Sequence, residues 1–580
     1  MKLLDITVKN FRSLKGDRVT LSLEGSDIIF LFGQNNAGKS SLLSAYEYLV
    51  TPKQKAILSD FFGFDINNKI EIEATFLKDE GDDDIFEKKG FDKWVAADNK
   101  IKFRKTWKNL DDEGQKETFD PETNAYVVNG FGGIEQHFTK QAPTPIRIPA
   151  FPTPKDLTTF VSDTVKKSVL KTLREEEAEA YNEVVSKIEA LQDRILSKEA
   201  VAAKSSQANK NFQKVFPELT LDISPIEGSE FNLSASLEKE FSVIIKDNRH
   251  PNTKQDFSNH GHGVIRQTLF NFLGVVKNEL PTNEAANSNR KDFIILFEEP
   301  EVYLHPKAVK LLRKVLYELC SNSRFQIICA SHSPMLIDIS KPHTSLVRLV
   351  RDAAGNTSLF QVGENLFQST DKQKEMVQML NRFDPNICES FFADEVILVE
   401  GDTEAIVSRE LLEKHFPTKD IFVVNTGSKN NIPFFQKIYN HFNIKQHIIH
   451  DSDTRYVYDI TVDENDQLLY TLKTNKDGNP KNNSAWSING NIWSELENGN
   501  QQTANLSARY VSIYNFEVAN SYRQDPDKGK PLSAYDYVAK LAATDNPVII
   551  QFIKQIVGAE PKTIAFTQQE LDNLVTEPAR

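Results

Sequence analysis

Cysteine is scarce in this sequence, which contains only Cys320, Cys329 and Cys388 among its 580 residues. No two of them have the spacing of a disulfide-rich small domain or of a zinc site, where ligands come in closely spaced pairs. The sequence therefore argues against a disulfide framework and a cysteine-based zinc site. It favours a reducing compartment.

Long apolar runs are also missing. No stretch approaches the roughly 20 apolar residues that a membrane-spanning helix needs. The first eight residues alternate like a strand and lack the apolar centre of a signal peptide. We therefore expect a cytoplasmic protein with no membrane association.

Positive charge is in deficit, because 69 Lys and Arg residues face 82 Asp and Glu residues, for a net charge of −13. Nonspecific nucleic-acid binding depends on neutralising phosphates, so the surface as a whole is not suited to it. A local basic groove is still compatible with this charge. The remaining composition, 39% hydrophobic and 26% charged, is ordinary for a globular protein, and the length predicts two or three domains.

A glycine-rich loop follows the first fully apolar strand, which is predicted at residues 28–32. Its G-x-x-x-x-G-K-S spacing, between that strand and a predicted helix, is typical of a loop whose backbone N–H groups bind phosphates. We expect Lys39 to contact the β- and γ-phosphates of a nucleotide and Ser40 to bind Mg²⁺. The predicted nucleotide-binding residues of this loop are Gly33, Asn35, Asn36, Gly38, Lys39, Ser40 and Ser41.

Two carboxylates, Glu298 and Glu299, follow a second buried strand that is predicted at residues 293–297. Ligands of open α/β sheets bind at this carboxyl edge, so the pair could hold Mg²⁺ and orient a water molecule. The next predicted strand, at 325–330, is followed by His332, which could contact a γ-phosphate. Taken alone, the two acids could equally be solvated residues at a strand end, and it is the phosphate-binding loop that favours a nucleotide site.

A charged helical region is predicted at about residues 156–211. Its apolar residues recur at spacings of three and four, as in a coiled-coil seam formed by Tyr181, Val184, Ile188, Leu191 and Ile195. The pattern is compatible with a helix packed on its own domain. It is also compatible with an inserted arm that serves dimerisation.

A second set of acids lies at predicted strand ends beyond residue 386. One strand ends at Glu400, and Asp402 is the predicted N-cap of a helix that carries Glu404 in its first turn. Another strand ends at Asp451 and Asp453, which would point to the same face because they are two residues apart in an extended chain. Clustered carboxylates favour Mg²⁺ or Mn²⁺. The alternative is a group of unrelated surface acids.

The first set of motifs resembles the ABC-type ATPase heads of the SMC and RecF group, with Walker A at 33–40 and Walker B at 293–299. This resemblance implies that Glu299 is the catalytic base, that His332 is the switch histidine and that Glu298 binds Mg²⁺ where that group usually has Asp. It also implies that Ser258 and Gly261 form a degenerate signature, which contacts the γ-phosphate of a nucleotide bound to another subunit. An ordinary capped helix start is the alternative for that turn.

The second set resembles a Toprim domain, and both sets together resemble the OLD (overcoming lysogenization defect) family over nearly the whole chain. The resemblance implies that Glu400, Asp451 and Asp453 are catalytic and bind metal, as Glu404 would. It further implies a later metal-binding Glu and a catalytic Lys, which match Glu517 and Lys530 on short motifs. Lys528 is the rival of Lys530.

We therefore predict an α/β protein with an ABC-type P-loop ATPase domain, a helical dimerisation insertion and a Rossmann-like Toprim domain. The predicted bounds are 1–154 for the N-terminal ATPase lobe, 155–215 for the helical arm, 216–385 for the C-terminal ATPase lobe and 386–580 for the Toprim domain. The predicted function is an ATP-hydrolysing, Mg²⁺- or Mn²⁺-dependent DNA endonuclease in anti-phage defence. The alternative is an ATP-switched DNA-binding or assembly protein of the SMC type with a silent Toprim domain.

The partners that follow from this prediction are DNA and a second copy of the chain, in a homodimer or a higher homo-oligomer. The OLD family includes stand-alone nucleases and others that are encoded beside helicases or retrons. The resemblance therefore also implies an operon-encoded defence partner, either a helicase or a reverse transcriptase with its msDNA. The sequence leaves open whether ATP activates or restrains cleavage.

Overall fold

The protein, seen in a computed structural model, divides into two compact units, Met1–Leu359 and Phe360–Arg580. The structure describes residues 1–15, 18–78, 86, 91–129, 141–151, 153, 206, 209–210, 212–214, 216–225, 241–247, 249, 254–256, 260–279, 292–320, 325–336, 344–352, 354–362, 385–462, 468–542, 545–561 and 566–575.

The first unit contains an antiparallel sheet of six strands. These are β1 (Lys2–Lys9), β2 (Val19–Ser22), β4 (Ile70–Leu77), β5 (Lys100–Trp107), β6 (Gln115–Asp120) and β7 (Ala125–Val128). Their order is β2-β1-β4-β5-β6-β7, and every neighbouring pair is antiparallel. Along β5, the buried residues Ile101, Phe103 and Trp107 lie on one face because successive side chains of a strand alternate.

A second sheet of the first unit carries the phosphate-binding motif. Its strands are β3 (Ile28–Gly33), β8 (Thr144–Ile148), β12 (Phe293–Glu298), β13 (Phe325–Ala330), β14 (Thr344–Arg351) and β15 (Thr357–Val362), in the order β15-β14-β3-β13-β12-β8. The pairs from β14 to β8 along this order are parallel. Every residue of β3 and β13 is buried, as expected for parallel strands that are covered on both faces. The apolar runs at 28–32, 293–297 and 325–330 are therefore strands, as predicted.

The helices of the first unit are α1 (Lys39–Val50), α2 (His262–Glu279) and α3 (Pro306–Cys320), with 3-10 turns at Leu58–Asp60, Phe62–Phe64, Asp92–Trp94 and Pro334–Leu336. One hydrophobic core joins both sheets and α1, and it includes Ile6, Leu31, Leu43 and Ile72. Because α1 is part of this core, the loop before it is held on a rigid base. Helices α2 and α3 pack against each other.

Three further strands, β9 (Leu219–Pro225), β10 (Phe241–Asp247) and β11 (Lys254–Asp256), form an antiparallel sheet in the order β11-β10-β9. The predicted helical seam from Tyr181 to Ile195 lies outside the described residues, so the dimerisation arm stays a prediction.

The second unit is built on a parallel sheet of four strands. They are β16 (Glu395–Val399), β17 (Phe422–Asn425), β18 (Lys445–Asp451) and β21 (Ser507–Ser512), in the order β17-β16-β18-β21. The chain passes from β16 to β17 on one side and then returns to β18 on the other side of β16. This reversal of strand order makes the carboxyl ends of β16 and β18 the position where such sheets bind ligands.

Helices and a hairpin surround this sheet. They are α4 (Asp402–His415), α5 (Ile432–His441), the hairpin of β19 (Tyr458–Val462) and β20 (Leu468–Leu472), α6 (Ser484–Gln502), α7 (Phe516–Ala519), α8 (Gly529–Lys540), α9 (Val548–Ile556) and α10 (Gln568–Leu574), with 3-10 turns at Pro385–Phe392 and Lys429–Asn431. The core between the sheet and these helices includes Val399, Val407, Ile449 and Ile553. Both units therefore have the predicted α/β architecture. Among the described residues, no helix is both long enough and apolar enough to cross a membrane.

Candidate functional site

The glycine-rich loop joins the end of β3 to the start of α1. Two of its glycines have backbone conformations that favour glycine, with φ of 129° at Gly33 and 107° at Gly38. A Cβ atom at Gly33 would lie 2.1 Å from the carbonyl oxygen of Leu349, and one at Gly38 would lie 2.3 Å from Leu14 Cδ2. Neither position can hold a side chain without moving its neighbours, so the loop depends on both glycines.

The Lys39 side chain is buried and lies against the inner face of this loop. Its Nζ donates hydrogen bonds to the carbonyl oxygens of Gly33, at 2.8 Å, and Gln34, at 3.0 Å. Burial lowers the pKa of Lys39 to about 8, and the carboxylates of Glu299 and Glu301 oppose this shift. The ammonium group therefore lies near the acids that follow β12, although about 260 residues separate them in sequence.

The other loop residues differ in exposure. Asn35, Asn36 and Ser40 are exposed, whereas Ser41 is buried and its hydroxyl is 2.8 Å from the hydroxyl of Ser13. Ser40 thus lies at the surface of the first turn of α1, where it is accessible to a ligand. The hydroxyl of Ser41 is already engaged within the protein.

Glu298 is the last residue of β12, and β12 is separated from β3 by β13 alone. Its carboxylate accepts a hydrogen bond of 2.6 Å from Arg147, which also contacts Glu47 at 3.4 Å. Arg147 lies on β8, the strand beside β12. Sequence reasoning missed this arginine because its pairing with Glu298 depends on the parallel register of β8 and β12.

Glu299 has a left-handed backbone, with φ of 40°, and its N–H donates to the carbonyl oxygen of Ala330 at 2.7 Å. Its Oε1 is 3.9 Å from Nε2 of His332, the two residues being close because β12 and β13 are parallel neighbours. Burial lowers the pKa of His332, the charge of Lys39 lowers it further, and Glu299 and Glu301 oppose the shift. Lys39, Glu299 and His332 therefore surround one region at the carboxyl edge of this sheet.

Glu301 is a residue of this region that sequence reasoning missed. Its carboxylate accepts hydrogen bonds from the Ser331 hydroxyl, at 3.0 Å, and from the His332 N–H, at 2.7 Å. Glu301 thereby fixes the turn that presents His332. A third acid directly after Glu298-Glu299-Pro300 was the signal that could have drawn attention to it.

Arg266 is fully buried on α2, and its guanidinium group binds the segment that follows β12. It donates hydrogen bonds to the carbonyl oxygens of Glu298, at 3.2 Å, Glu299 and Val302, at 3.2 Å. It also donates to the carbonyl oxygens of Pro149, at 3.1 Å, and Ala150. Burial lowers the pKa of Arg266 to about 10. A charged residue near the start of a helix that is rich in apolar residues was the available sequence signal.

The predicted signature turn is described only in part. Ser258 lies outside the described residues, and Gly261 is an exposed residue directly before α2. A Cβ atom at Gly261 would meet nothing within 4 Å. The contact of this turn with a nucleotide on another subunit stays a prediction.

In the second unit, Glu400 directly follows β16 and connects it to the end of β18. Its Oε1 accepts a hydrogen bond of 2.7 Å from the N–H of Asp451. Helix α4 begins at Asp402, so its N-cap is Gly401, and the prediction that Asp402 is the N-cap was wrong. The Asp402 carboxylate instead accepts a hydrogen bond of 2.7 Å from Asn425.

Four carboxylates lie within electrostatic reach of one another at this edge. Burial raises the pKa of Asp451 to about 9, and repulsion by Glu400, Glu404 and Asp453 adds to the shift. Burial likewise raises the pKa of Glu400 to about 7. The charge of Lys429 opposes both shifts.

Asp453 does not have the extended conformation that was predicted from its spacing to Asp451. Strand β18 ends at Asp451, and Asp453 has a left-handed φ of 59°. Its Oδ2 accepts a hydrogen bond of 2.6 Å from Lys429 Nζ. Asp451 and Asp453 therefore lie at the same edge because the chain turns after Asp451. They do not share a face of one extended strand.

Glu517 and Lys530 lie near Glu404. Burial raises the pKa of Glu404, with the charge of Glu517 adding to the shift and that of Lys530 opposing it. Lys528, the rival candidate, instead binds Asp536 at 2.5 Å. The structure thus brings the later Glu and one of the two lysines to the carboxylate edge.

These oxygens fit a divalent cation by their chemistry, because buried carboxylates that repel one another are stabilised by a hard cation. In the part of the chain that the structure describes, no three Asp, Glu, His or Cys side chains converge closely enough to enclose a metal ion. The side chains would have to draw together around an ion.

Comparison with known proteins gives a family match for each unit. A family model described as AAA ATPase domain matches residues 1–145 and 148–337. A second model, described as overcoming lysogenization defect protein-like, TOPRIM domain, matches residues 391–453. The second match includes Glu400, Glu404, Lys429, Asp451 and Asp453.

Two nucleases are related in sequence. The chain is 24% identical to the Old nuclease of Escherichia phage P2 over 510 residues, which cover 81% of this chain and 80% of that protein. It is 30% identical to the OLD nuclease of Thermus scotoductus over 163 residues, which cover 27% of this chain and 30% of that protein. Among solved structures, an SmcHead bound to the C-winged helix domain of ScpA matches with a TM-score of 0.41 and 12% identity, covering 64% of this chain and 100% of that one.

Proposed function

This chain belongs to the OLD (overcoming lysogenization defect) family, with an AAA ATPase domain followed by an OLD-like TOPRIM domain, and we propose that it is an ATP-hydrolysing, divalent-metal-dependent DNA endonuclease of anti-phage defence. The observation that carries this proposal is the set of buried, mutually repelling carboxylates at the carboxyl ends of β16 and β18. Four acids in such a place repel one another when they are ionised, and a bound cation relieves that repulsion. The defence role is proposed from the family resemblance.

In the ATPase unit, Lys39 would contact the β- and γ-phosphates, and Ser40 and Glu298 would hold Mg²⁺. Glu299 would accept a proton from the attacking water, and His332 would contact the γ-phosphate. The support for these roles is the proximity of Lys39, Glu299 and His332 at one sheet edge. The backbone of the glycine-rich loop would bind the remaining phosphate oxygens.

In the TOPRIM unit, Glu400, Glu404, Asp451, Asp453 and Glu517 would hold Mg²⁺ or Mn²⁺. A divalent ion lowers the pKa of a water bound to it and neutralises the charge that develops on the leaving oxygen. The proposed role of Lys530 is to stabilise negative charge on the phosphate that is cleaved. Its place beside Glu404 supports that role.

The proposed domain extents are 1–154, 155–215, 216–385 and 386–580, with the second forming a dimerisation arm. The proposed substrate is DNA, and the proposed assembly is a homodimer or a higher homo-oligomer in the cytoplasm. A helicase or a reverse transcriptase with its msDNA is the proposed operon partner.

The proposal is tested with supercoiled plasmid, Mg²⁺ or Mn²⁺, and the variants Asp451→Asn and Lys39→Ala. Asp451→Asn should lower cleavage by about 100-fold or more, since losing even the hydrogen-bond partner of a metal ligand costs roughly 10–100-fold. Its ATPase rate should stay near that of the wild type, because Asp451 lies in the other unit. Lys39→Ala should lose ATP hydrolysis and nucleotide binding.

The matched control is Asp477→Asn, which removes an exposed acid of the same unit and should cleave like the wild type. EDTA should abolish cleavage by every variant. Equal cleavage by the wild type and Asp451→Asn would refute the assignment of the site. Uncut plasmid with wild-type protein would favour an ATP-switched DNA-binding protein whose TOPRIM domain is silent.

A further inference from the structure

A buried lysine lies among the carboxylates of the TOPRIM unit. Lys429 opens the 3-10 turn Lys429–Asn431, which follows β17, and only 6% of its side chain is exposed. Lysine is rarely buried unless its charge is compensated, because the ammonium group loses its hydration. The groups that contact its ammonium group should therefore indicate what Lys429 does in this site.

The backbone around Lys429 is fixed by its neighbours. The Thr426 hydroxyl donates to the carbonyl oxygen of Val399 at 2.8 Å, which connects this turn to the end of β16. Asn431 donates from its side chain to the carbonyl oxygen of Thr426 at 2.6 Å, and Ser428 accepts from the N–H of Asn430. The lysine thus projects from a rigid turn.

Of the two hydrogen bonds of the ammonium group that the structure defines, one goes to Asp451 at the end of β18 and the other to Asp453 just beyond it. Nζ donates to the carbonyl oxygen of Asp451 at 2.5 Å and to Oδ2 of Asp453 at 2.6 Å. Asp453 is the residue with the left-handed backbone, a conformation that is uncommon for residues other than glycine but that Asp adopts more readily than most. The N–H of Asp453 donates to the carbonyl oxygen of Tyr514 at 2.9 Å, so Lys429 and the segment that follows β21 together fix this residue.

Lys429 also compensates the charge of the neighbouring acids. Its positive charge favours the ionised forms of Glu400 and Asp451, against the effects of burial and of the other carboxylates. The positive charge that does the same for Glu404 is that of Lys530. Two lysines, Lys429 and Lys530, therefore lie close enough to the carboxylate cluster to offset part of its negative charge.

We propose that Lys429 is a positioning residue of the nuclease site, which holds Asp453 in place and reduces the attraction of the carboxylates for divalent metal. This inference rests on the proposed nuclease function. Lys429 binds Asp453 without being a metal ligand, because an ammonium group has no lone pair to donate. Its charge would keep the acids together before a metal ion binds and would weaken metal binding by repulsion.

The test compares Lys429→Met with Lys429→Arg. The Met variant removes the charge at similar length, so the protein in EDTA should unfold at a lower temperature than the wild type. Its affinity for Mn²⁺ should rise by about tenfold, which is the effect of one unit charge on a divalent ion at roughly 6 Å in a water-like medium. Calorimetric titration with Mn²⁺ measures the affinity, and scanning calorimetry measures the unfolding temperature.

Cleavage by Lys429→Met should have a lower kcat than the wild type, because Asp453 would lose the contact that positions it. Lys429→Arg keeps the charge and should restore Mn²⁺ affinity and unfolding temperature towards wild-type values. The matched control is Lys445→Met, which removes a lysine bound to Glu395 at 2.5 Å at the opposite ends of β16 and β18. This control should leave the affinity for Mn²⁺ unchanged.

A double variant, Lys429→Met with Asp453→Asn, keeps the test decisive if the single Met variant folds poorly. Because both charges are removed together, the double variant should unfold at a higher temperature in EDTA than Lys429→Met alone. A Mn²⁺ affinity of Lys429→Met equal to that of the wild type, an unchanged kcat, or a double variant no more stable than the single would each overturn the role of Lys429. Failure of the wild type itself to bind Mn²⁺ would instead overturn the proposed metal-dependent function.

Discussion

Asp451 and Glu400 show how burial and crowding act on single carboxyl groups. The pKa of Asp451 rises to about 9 and that of Glu400 to about 7, with burial as the main cause and neighbouring carboxylates as the second. Their ordinary values are 3.8 and 4.5. Ionising both groups in the folded protein is therefore unfavourable unless a cation is present.

This predicts a pH dependence of stability in the absence of divalent metal. A carboxyl group with a raised pKa in the folded state stabilises the fold fully below its unfolded pKa, and this contribution is lost as the pH rises through its folded pKa. In EDTA, the unfolding temperature of the TOPRIM unit should therefore fall between pH 5 and pH 9, by about 5 °C or more. Scanning calorimetry at a series of pH values measures this.

Asp451→Asn is the control, because it removes the group with the larger shift and should flatten the pH dependence. Added Mn²⁺ should also flatten it, since a bound cation offsets the repulsion between ionised carboxylates. An unfolding temperature in EDTA that rises from pH 5 to pH 9 would contradict the assignment.

At the scale of elements, helix α2 is joined to the segment after β12 by hydrogen bonds as well as by packing. Arg266 donates hydrogen bonds to carbonyl oxygens of Glu298, Glu299 and Val302. A Cβ atom at Gly263 would lie 2.7 Å from the carbonyl oxygen of Tyr303, so the start of α2 closely approaches the same segment. A movement of α2 would consequently be transmitted to Glu299.

Arg266→Met should therefore impair both stability and catalysis in the ATPase unit. The variant removes the guanidinium donors of five carbonyl oxygens at once, which costs about 3 kcal/mol or more of unfolding free energy. ATP hydrolysis should fall because the left-handed backbone of Glu299 loses a partner. Urea denaturation and phosphate release measure the two effects.

Arg266→Lys is the matched variant, because it keeps the charge but cannot reproduce the forked geometry of a guanidinium group. It should recover part of the stability and less of the ATPase rate. Arg313→Met, on α3, is a control that removes an arginine bound to the carbonyl oxygen of Met335. Wild-type hydrolysis by Arg266→Met would show that α2 does not position Glu299.

At the scale of the whole molecule, each unit places its candidate chemistry at the carboxyl edge of a parallel sheet. In the ATPase unit, the edge of β3, β12 and β13 carries Lys39, Glu299 and His332. In the TOPRIM unit, the edge of β16 and β18 carries Glu400 and Asp451. The predicted role of Gly261 in a nucleotide site of another subunit requires assembly of more than one chain.

We accordingly predict an ATP-dependent homo-oligomer. Glu299→Gln should bind ATP without hydrolysing it, because an amide cannot accept the proton of the water, and so it should accumulate the ATP-bound assembly. Light scattering coupled to size exclusion should give a larger mass for this variant with ATP than without it. Lys39→Ala should not respond to ATP.

The predicted seam is tested in the same experiment. Ile188→Asp combined with Leu191→Asp should reduce any assembly that forms without ATP, because charged residues would replace the apolar contact. A monomeric mass for every variant, with and without ATP, would refute both the pairing of heads and the dimerisation arm.

Local patterns in the sequence were sufficient to predict the strands and the loop that frame each site. Every residue of β3 is apolar or glycine, and β3 is followed by glycines that alone fit φ of 129° and 107°, so strand, loop and helix are encoded together. The strands β12 and β16 were likewise recognisable, because buried parallel strands are nearly continuous apolar runs, and β13 and β18 contain shorter apolar segments at 327–330 and 448–449. The acids that follow these strands could be placed at the carboxyl edges of the sheets, because each comes directly after a predicted strand.

Only the tertiary structure decided which distant side chains complete these edges. The contacts of Arg147 with Glu298, Arg266 with Glu299 and Lys429 with Asp453 join residues 151, 33 and 24 positions apart, and each depends on packing between elements. The turn at Asp453 was predicted as an extended chain, because the sequence does not reveal that β18 ends at Asp451. Nor does it reveal that Lys429, from the turn after β17, binds the carboxylate of Asp453. Sequence determined the local conformations, because these follow from residue type and spacing, whereas the ionic partners depend on how the elements pack together.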